Sequence, residues 1–225
     1  MSKQVVIIGG EGNGGVIASC IEDNRERYND YEWEVVGFVN DYETEVCGYP
    51  VLCKMEGIQE LLDTTNYYFM WGIHTIGRNK LIEKAFKRAN IPDERWAIIV
   101  HKSAFVAKSA VLEPGAFVMA NAYVGPQAVV GKCSLLMANS IFGHNTTCGP
   151  LCHFSVGSIT SSYDTIGKCA SVTFGTVILE KKKMGDFSVA GAHSLITHDI
   201  PDNEIWVGSP AKFMKKIREV ENYTE

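Results

Sequence analysis

The chain has 225 residues, of which 46% are hydrophobic and 21% charged, and it carries a formal net charge of −5 at pH 7. This length allows one large domain or two modest ones, and the negative charge argues against a general nucleic-acid-binding protein. No run of about 18 apolar residues is present, so no membrane-spanning helix is expected.

The first hundred residues alternate strand-like and helix-like patterns. Short apolar runs predict four buried strands, at residues 5–8, 35–39, 67–71 and 96–100. Helical spacing of apolar residues follows the first three, over residues 16–21, 58–62 and 81–89. A turn is expected at Gly48-Tyr49-Pro50. Strands that alternate with helices predict a small parallel α/β sheet.

A glycine-rich loop, Gly10-x-Gly12-x-x-Gly15, joins the first predicted strand to the first helix. Backbone N–H groups at such a loop can bind phosphate, although a tight packing turn is an equally simple interpretation of three glycines. The unit is short for a conventional NAD-binding domain, which we therefore disfavour.

From residue 105 to residue 200 the sequence follows a six-residue period, in 16 hexads without an insertion. The second place of every hexad is apolar except Thr160, and the sixth is Ala, Ser, Thr or Cys in 13 of them. A fixed six-residue period predicts a parallel β-helix.

Two columns of residues repeat every 18 residues, so three hexads should form one coil. One column is Gly131, Gly149, Gly167 and Gly185, and the other is Asn121, Asn139, Gly157, Gly175 and His193. Gly and Asn tolerate positive φ, so both columns are predicted to be corners of a triangular prism.

This 18-residue coil resembles the left-handed β-helix acyltransferases of the hexapeptide-repeat type, and residues 208–212, GSPAK, are similar to their closing motif. A glycine-rich unit before such a helix resembles the bacterial N-acetyltransferases of nucleotide-linked 4-amino-sugars. The bacillosamine and perosamine enzymes and sialic-acid O-acetyltransferase-like proteins belong to that branch.

The resemblance implies a Rossmann-like nucleotide-sugar-binding domain at residues 1–101. It implies a left-handed parallel β-helix at residues 102–225, ending in a short C-terminal helix. It also implies acetyl-CoA as the acetyl donor and a homotrimer with active sites between neighbouring helices. No nucleic-acid partner is expected. Seven cysteines without a CxxC pair are typical of reduced thiols in a cytoplasmic protein, and no residue set has the spacing of a metal site.

The resemblance also assigns site residues. His144 matches the general base of the branch, and His153 matches a histidine that contacts acetyl-CoA. The further CoA contacts implied are Phe174, Lys183 and Ala192, although a run of lysines such as 181–183 is more often simply solvated surface. The nucleotide-sugar contacts implied are Gly12, Asn13, Asn40, Asp41 and Gly72.

The sequence departs from the branch beside the base, where a carboxylate is often found. Gly143 and Asn145 flank His144, and neither is charged. The leading hypothesis is N-acetylation of a UDP- or dTDP-linked 4-amino-4,6-dideoxy sugar. The alternatives are a sugar O-acetyltransferase of the sialic-acid type and a non-catalytic solenoid that binds nucleotide sugars.

Overall fold

The computed structural model describes residues 2–217. An α/β unit comes first, a parallel β-helix follows, and a pair of antiparallel strands closes the described chain. Within residues 2–217, no helix is both long enough and apolar enough to cross a bilayer.

The N-terminal unit is built on one five-stranded sheet. Its strands are β1 Lys3–Ile8, β2 Trp33–Val39, β3 Glu45–Val46, β4 Tyr49–Cys53 and β5 Tyr68–Trp71. Its helices are α1 Asn13–Tyr28, α2 Ile58–Thr64 and α3 Asn79–Ala89, and single 3₁₀ turns lie at Met55–Gly57 and Asp93–Arg95. The strand order is β3-β4-β2-β1-β5, and all neighbours are parallel except β3 and β4. The predicted parallel α/β unit is therefore confirmed.

The β-helix follows the predicted hexads without a break. A two-residue strand occupies the first two places of every hexad from 105 to 200. The strands are β7 Phe105–Val106, β8 Val111–Leu112, β9 Phe117–Val118, β10 Tyr123–Val124, β11 Val129–Val130, β12 Leu135–Leu136, β13 Ile141–Phe142, β14 Thr147–Cys148, β15 His153–Phe154, β16 Ile159–Thr160, β17 Thr165–Ile166, β18 Ser171–Val172, β19 Val177–Ile178, β20 Lys183–Met184, β21 Val189–Ala190 and β22 Leu195–Ile196.

These strands form the three faces of a prism. Face A contains β9, β12, β15, β18 and β21, face B contains β7, β10, β13, β16, β19 and β22, and face C contains β8, β11, β14, β17 and β20. Each strand pairs in parallel with the strand 18 residues away, as Leu135 with Phe117. Second-place side chains fill the interior, where Phe142 and Phe154 meet edge to face at 5.1 Å.

The two columns contain glycine for different reasons. The Asn121 column is confirmed, because Asn121 has φ 57° and Gly157 has φ 68°, and positive φ also occurs at the fifth place of most other hexads. The expectation for the Gly131 column is wrong, because its glycines do not have positive φ. A Cβ atom on Gly131 would overlap the backbone of Gly149 in the next coil, so glycine is needed there for coil spacing.

Two local predictions in the first unit are also corrected. The run 96–100 is not a fourth strand of the α/β sheet: Ile99–Val100 forms β6, which pairs with β9 and extends face A, and Trp96 makes only an isolated bridge to Phe69. The turn expected at residues 48–50 is one residue earlier. Cys47 and Gly48 have φ 50° and 79°, and the chain continues as β4. Two consecutive residues at positive φ suit a tight hairpin between β3 and β4.

The N-terminal unit packs against face A. Ile17 of α1 and Phe117 of β9 belong to one buried cluster. Asn24 donates from Nδ2 to the carbonyl of Val100 at 3.0 Å, and Lys168 forms a 3.0 Å ion pair with Glu83. Face A is consequently covered by the N-terminal unit, whereas Phe105 on face B and Val111 on face C are exposed.

The described chain ends in two strands, β23 Glu204–Gly208 and β24 Ala211–Lys216. β23 pairs in parallel with β21 and in antiparallel with β24, so both extend face A. The short C-terminal helix that the resemblance implied is absent from residues 201–217, where ladder hydrogen bonds hold the backbone extended instead. Residues 218–225 lie outside the described residues.

Candidate active site

His144 lies at the corner where the chain turns from face B to face C. Its side chain is exposed, and Nδ1 lies 2.9 Å from Oδ1 of Asn145. Asn145 in turn donates from Nδ2 to Oε1 of Gln127 at 2.6 Å. Because an amide oxygen only accepts, Nδ1 of His144 carries the hydrogen of this bond, and in the neutral ring Nε2 then has the lone pair. The ring of Tyr163, one coil further on, stands edge-on to the imidazole at 5.3 Å.

This arrangement supplies a neutral substitute for the missing carboxylate. Asn145 accepts the Nδ1–H hydrogen bond that a carboxylate would accept, so the imidazole is oriented without a charged neighbour. A histidine in this state can remove a proton from an attacking amine or hydroxyl through Nε2.

His153 lies on face A, under the N-terminal unit. It is 7% exposed and stacks on His74 with ring centroids 4.3 Å apart. Its Nδ1 is 3.2 Å from Oγ of Ser155, and Nε2 of His74 is 3.0 Å from Oγ of Ser171. Burial lowers the pKa of His153 to about 4, and burial together with His153 holds the pKa of His74 well below its usual value. Both rings are therefore neutral at pH 7.

The residues expected at the CoA site divide between different sides of the prism. Phe174 and Ala192 are exposed and follow each other in one column at the corner between faces A and B. Lys183 begins β20 on face C, and it is exposed. A single chain does not bring these residues together, and His144 lies at a different corner from Phe174.

A cleft of about 670 Å³ opens at the carboxyl ends of β1 and β2 in the N-terminal unit. Its apolar lining is Val39, Met55, Ile73, Leu81, Ile82 and Ala85. Its polar lining includes Asn40, Asp41, Glu43, Lys84 and Arg88, and the backbone of Gly9 and Gly10 also borders it. An apolar cleft with a few polar groups at the carboxyl edge of a parallel sheet is the usual form of a nucleotide site.

Known proteins match both parts of this architecture. Residues 4–89 match the family model of the PglD N-terminal domain. The matched residues form the N-terminal α/β unit. PerB from Caulobacter crescentus, solved with CoA and GDP-perosamine, is 25% identical with a TM-score of 0.80, covering 94% of this chain and 97% of that one. A perosamine N-acetyltransferase variant from the same organism is 24% identical with a TM-score of 0.81, covering 95% and 97%.

Two further matches differ in how much of the chain they cover. The acetyltransferase domain of PglB from Neisseria gonorrhoeae is 22% identical with a TM-score of 0.81, covering 95% of this chain and all 100% of that domain. A stretch of 46 residues is 44% identical to a candidate acetyltransferase of Schizosaccharomyces pombe, but this match spans only 20% of this chain and 22% of that protein. The full-length likenesses give the chain the fold of left-handed β-helix acetyltransferases that carry an N-terminal α/β unit.

The N-terminal unit places the expected nucleotide-sugar residues at different depths. Asn40 and Asp41 line the cleft, whereas Gly12, Asn13 and Gly72 are not among its lining residues. Gly12 is the exposed residue before α1, and Asn13 is the first residue of that helix. Gly72 has a packing role, because a Cβ there would come within 3.1 Å of Gly14.

The polar groups of Asn40 are mostly used to shape the loop. Its Nδ2 donates to the carbonyl of Gly9 at 3.1 Å, and its Oδ1 accepts the N–H of Tyr42 at 2.8 Å. Asp41 accepts the N–H of Met55 at 2.8 Å through Oδ1 and stays exposed at the cleft. Asp41 is therefore better placed than Asn40 to contact a ligand.

Sequence reasoning missed two cations of the cleft, Lys84 and Arg88. They lie one turn apart on α3, and both line the cleft. The available signal was the pair of basic residues four positions apart on the polar side of a strongly amphipathic helix. Without the packing of α3 against β1 and β2, that signal did not say what the pair faces.

Proposed function

We propose that this protein transfers the acetyl group of acetyl-CoA to the amine of a nucleotide-linked amino-sugar. The observation that carries the proposal is His144, exposed at a β-helix corner with Nδ1 bonded to Asn145 and Nε2 available. The cleft of the N-terminal unit, which is similar to the PglD N-terminal domain, supports the proposal as a candidate site for the nucleotide.

His144 acts as the general base. The amine nitrogen attacks the thioester carbonyl, and Nε2 takes the proton that the nitrogen loses as the C–N bond forms. The tetrahedral intermediate then collapses, the C–S bond breaks, and the CoA sulfur leaves with the proton returned by the imidazole. The products are an acetamido sugar and free CoA.

The cleft suits a nucleoside diphosphate. Its apolar wall can hold a base, and the carboxylate of Asp41 at the end of β2 can accept hydrogen bonds from ribose hydroxyls. Lys84 and Arg88 on α3 can offset the charge of the phosphates. PerB was solved with a GDP-linked sugar, so a guanine nucleotide joins the UDP- and dTDP-linked candidates.

The active form is a homotrimer with each site between two β-helices. Face B carries a column of apolar side chains, of which Phe105, Tyr123 and Ile141 are 56%, 37% and 41% exposed. An apolar column of this kind favours association, and a neighbouring copy can bring the corner of Phe174 to the corner of His144. All seven cysteines are free thiols, which suits the cytoplasm, where acetyl-CoA is available.

The test is an acetyl-transfer assay with labelled acetyl-CoA and a panel of UDP-, dTDP- and GDP-linked amino-sugars, with products identified by mass spectrometry. We expect an N-acetylated product and a loss of roughly 10²- to 10⁴-fold in turnover for His144→Ala. His198→Ala, another exposed histidine of the β-helix, is the control and should keep the wild-type rate.

Each contrary outcome has a definite meaning. Acetylation of a sugar hydroxyl would identify the O-acetyltransferase alternative. Binding of nucleotide sugars without any transfer would identify a non-catalytic solenoid. A His144→Ala variant with the wild-type rate would show that His144 is not the base.

A further inference from the structure

Gln127 lies one coil before Asn145 in the same column of the corner. Both occupy the fifth place of a hexad and have φ 58°. The N–H of Asn145 donates to the carbonyl of Pro126 at 2.9 Å, and the N–H of Gln127 donates to Oγ of Ser109 at 3.2 Å. The backbone therefore fixes where both side chains start, and only their side-chain torsions remain free.

The hydrogen bonds along this column have a direction. An amide side chain has one end that only donates and one that only accepts. Because Oε1 of Gln127 accepts from Nδ2 of Asn145, Oδ1 of Asn145 faces His144. If the amide of Asn145 were reversed, its NH₂ group would face Nδ1, and the ring hydrogen would move to Nε2.

We infer that Gln127 is a positioning residue: with Oε1 turned toward Asn145, it holds the Asn145 amide in the orientation that gives His144 the Nδ1–H tautomer. This inference rests on the proposed function for its catalytic consequence, because only that tautomer presents a lone pair at Nε2. A chain of hydrogen bonds also polarises its members, so an acceptor at 127 strengthens the bond from Nδ1 to Asn145. An acceptor at 127 favours the basic tautomer, and a donor at 127 disfavours it.

Two substitutions at this position test the direction of the relay. Gln127→Glu leaves only acceptors, so the Nδ1–H tautomer and the acetyl-transfer rate should be kept. Gln127→Lys leaves only a donor, which turns the Asn145 amide and should shift His144 toward the Nε2–H tautomer. We expect a roughly 10- to 100-fold fall in kcat for Gln127→Lys, part of what a general base supplies. Lysine fits this backbone, since Lys181 has φ 60° in the same column.

The direct readout is the pair of ¹⁵N chemical shifts of the His144 ring in ¹⁵N-histidine-labelled protein at alkaline pH, where imidazoles are neutral. Asn121→Lys is the matched control. Asn121 is also an exposed fifth-place residue, with φ 57° and an N–H bonded to a serine hydroxyl, but it lies at another corner. It should leave the His144 shifts unchanged.

A double variant tests whether the effect passes through Asn145. In an Asn145→Asp background the group beside His144 can only accept, so adding Gln127→Lys should no longer change the tautomer. Persistence of the Nδ1–H tautomer in the single Gln127→Lys variant would overturn the inference, as would an equal shift in the Asn145→Asp background. If the tautomer shifts as expected while no variant alters acetyl transfer, the inference stands and the proposed role of His144 as the base fails.

Discussion

Asp164, at the sixth place of its hexad, tests how a buried polar side chain of the β-helix obtains its hydrogen bonds. Asp164 is 1% exposed, and its Oδ1 accepts the N–H of Lys182 at 2.8 Å. Among the described residues, its Oδ2 has no hydrogen-bond partner. Thr146 at the preceding equivalent place fills both roles with one hydroxyl: it accepts the N–H of Asp164 at 3.3 Å and donates to the carbonyl of Ser161 at 3.3 Å.

The effect of Asp164 on stability can be worked out from the ionisation of its carboxyl group. Burial raises the pKa of Asp164 to about 6, whereas an aspartate in an unfolded chain has a pKa of about 3.9. The unfolded chain therefore loses this proton first as the pH rises. The free energy of unfolding therefore falls between about pH 4 and pH 6, and above that range it stays about 3 kcal/mol below its value at pH 4. Asp164→Thr should remove this loss and supply both hydrogen bonds.

The assay is urea unfolding of the wild type and Asp164→Thr from pH 4 to pH 8 at one protein concentration. We expect nearly equal stability at pH 4 and an advantage of about 3 kcal/mol for the variant above pH 7. Asp63→Thr, at an exposed position of α2, is the control for loss of one carboxylate. A difference that does not change with pH, or a variant less stable than the wild type at pH 8, would refute the reasoning.

Three other predictions address the coils, the cleft and the assembly. Gly131→Ala should destabilise the fold by several kcal/mol in denaturant titrations, because its methyl group would overlap Gly149. Gly157→Ala, at φ 68° with nothing nearby, should cost only about 1–2 kcal/mol. In calorimetry, Asp41→Ala should weaken nucleotide-sugar binding and leave acetyl-CoA affinity unchanged. The reverse pattern would show that the nucleotide binds outside the cleft. Ile141→Lys on face B should give the mass of one chain in light scattering with an unchanged circular dichroism spectrum, and a trimer that persists would place the interface elsewhere.

The fold could be predicted in detail wherever the sequence repeats. Each hexad repeats the same pattern of apolar and small residues. A single exception, such as Thr160, therefore does not obscure the register that the other hexads define. The segment 96–100 had no such repetition. Its apolar pattern correctly predicted burial, but a short apolar run does not say which sheet receives it, and Ile99 pairs with Phe117 of the β-helix rather than with the α/β sheet.

Glycine illustrates a second limit of sequence reasoning. The Asn121 column and the Gly131 column have the same 18-residue period. The first column is required by a positive φ angle, and the second by the short distance between neighbouring coils. A mixture of Asn, Gly and His points to positive φ, because these residues share tolerance of it. A column of glycine alone indicates a place where no Cβ fits. The distinction was present in the composition of the columns, but the period alone concealed it.

The candidate site depends on contacts that are distant along the chain but adjacent along the prism. His144 could be singled out from its motif, whereas Gln127 could not, because only stacking 18 residues apart places its amide against Asn145. For His153 the resemblance implied a contact with acetyl-CoA, which stays a prediction, and the structure adds a stacked partner, His74, from the N-terminal unit. Since Phe174 lies at another corner from His144, the proposed trimer would pair the proposed base of one copy with the proposed CoA contacts of the next.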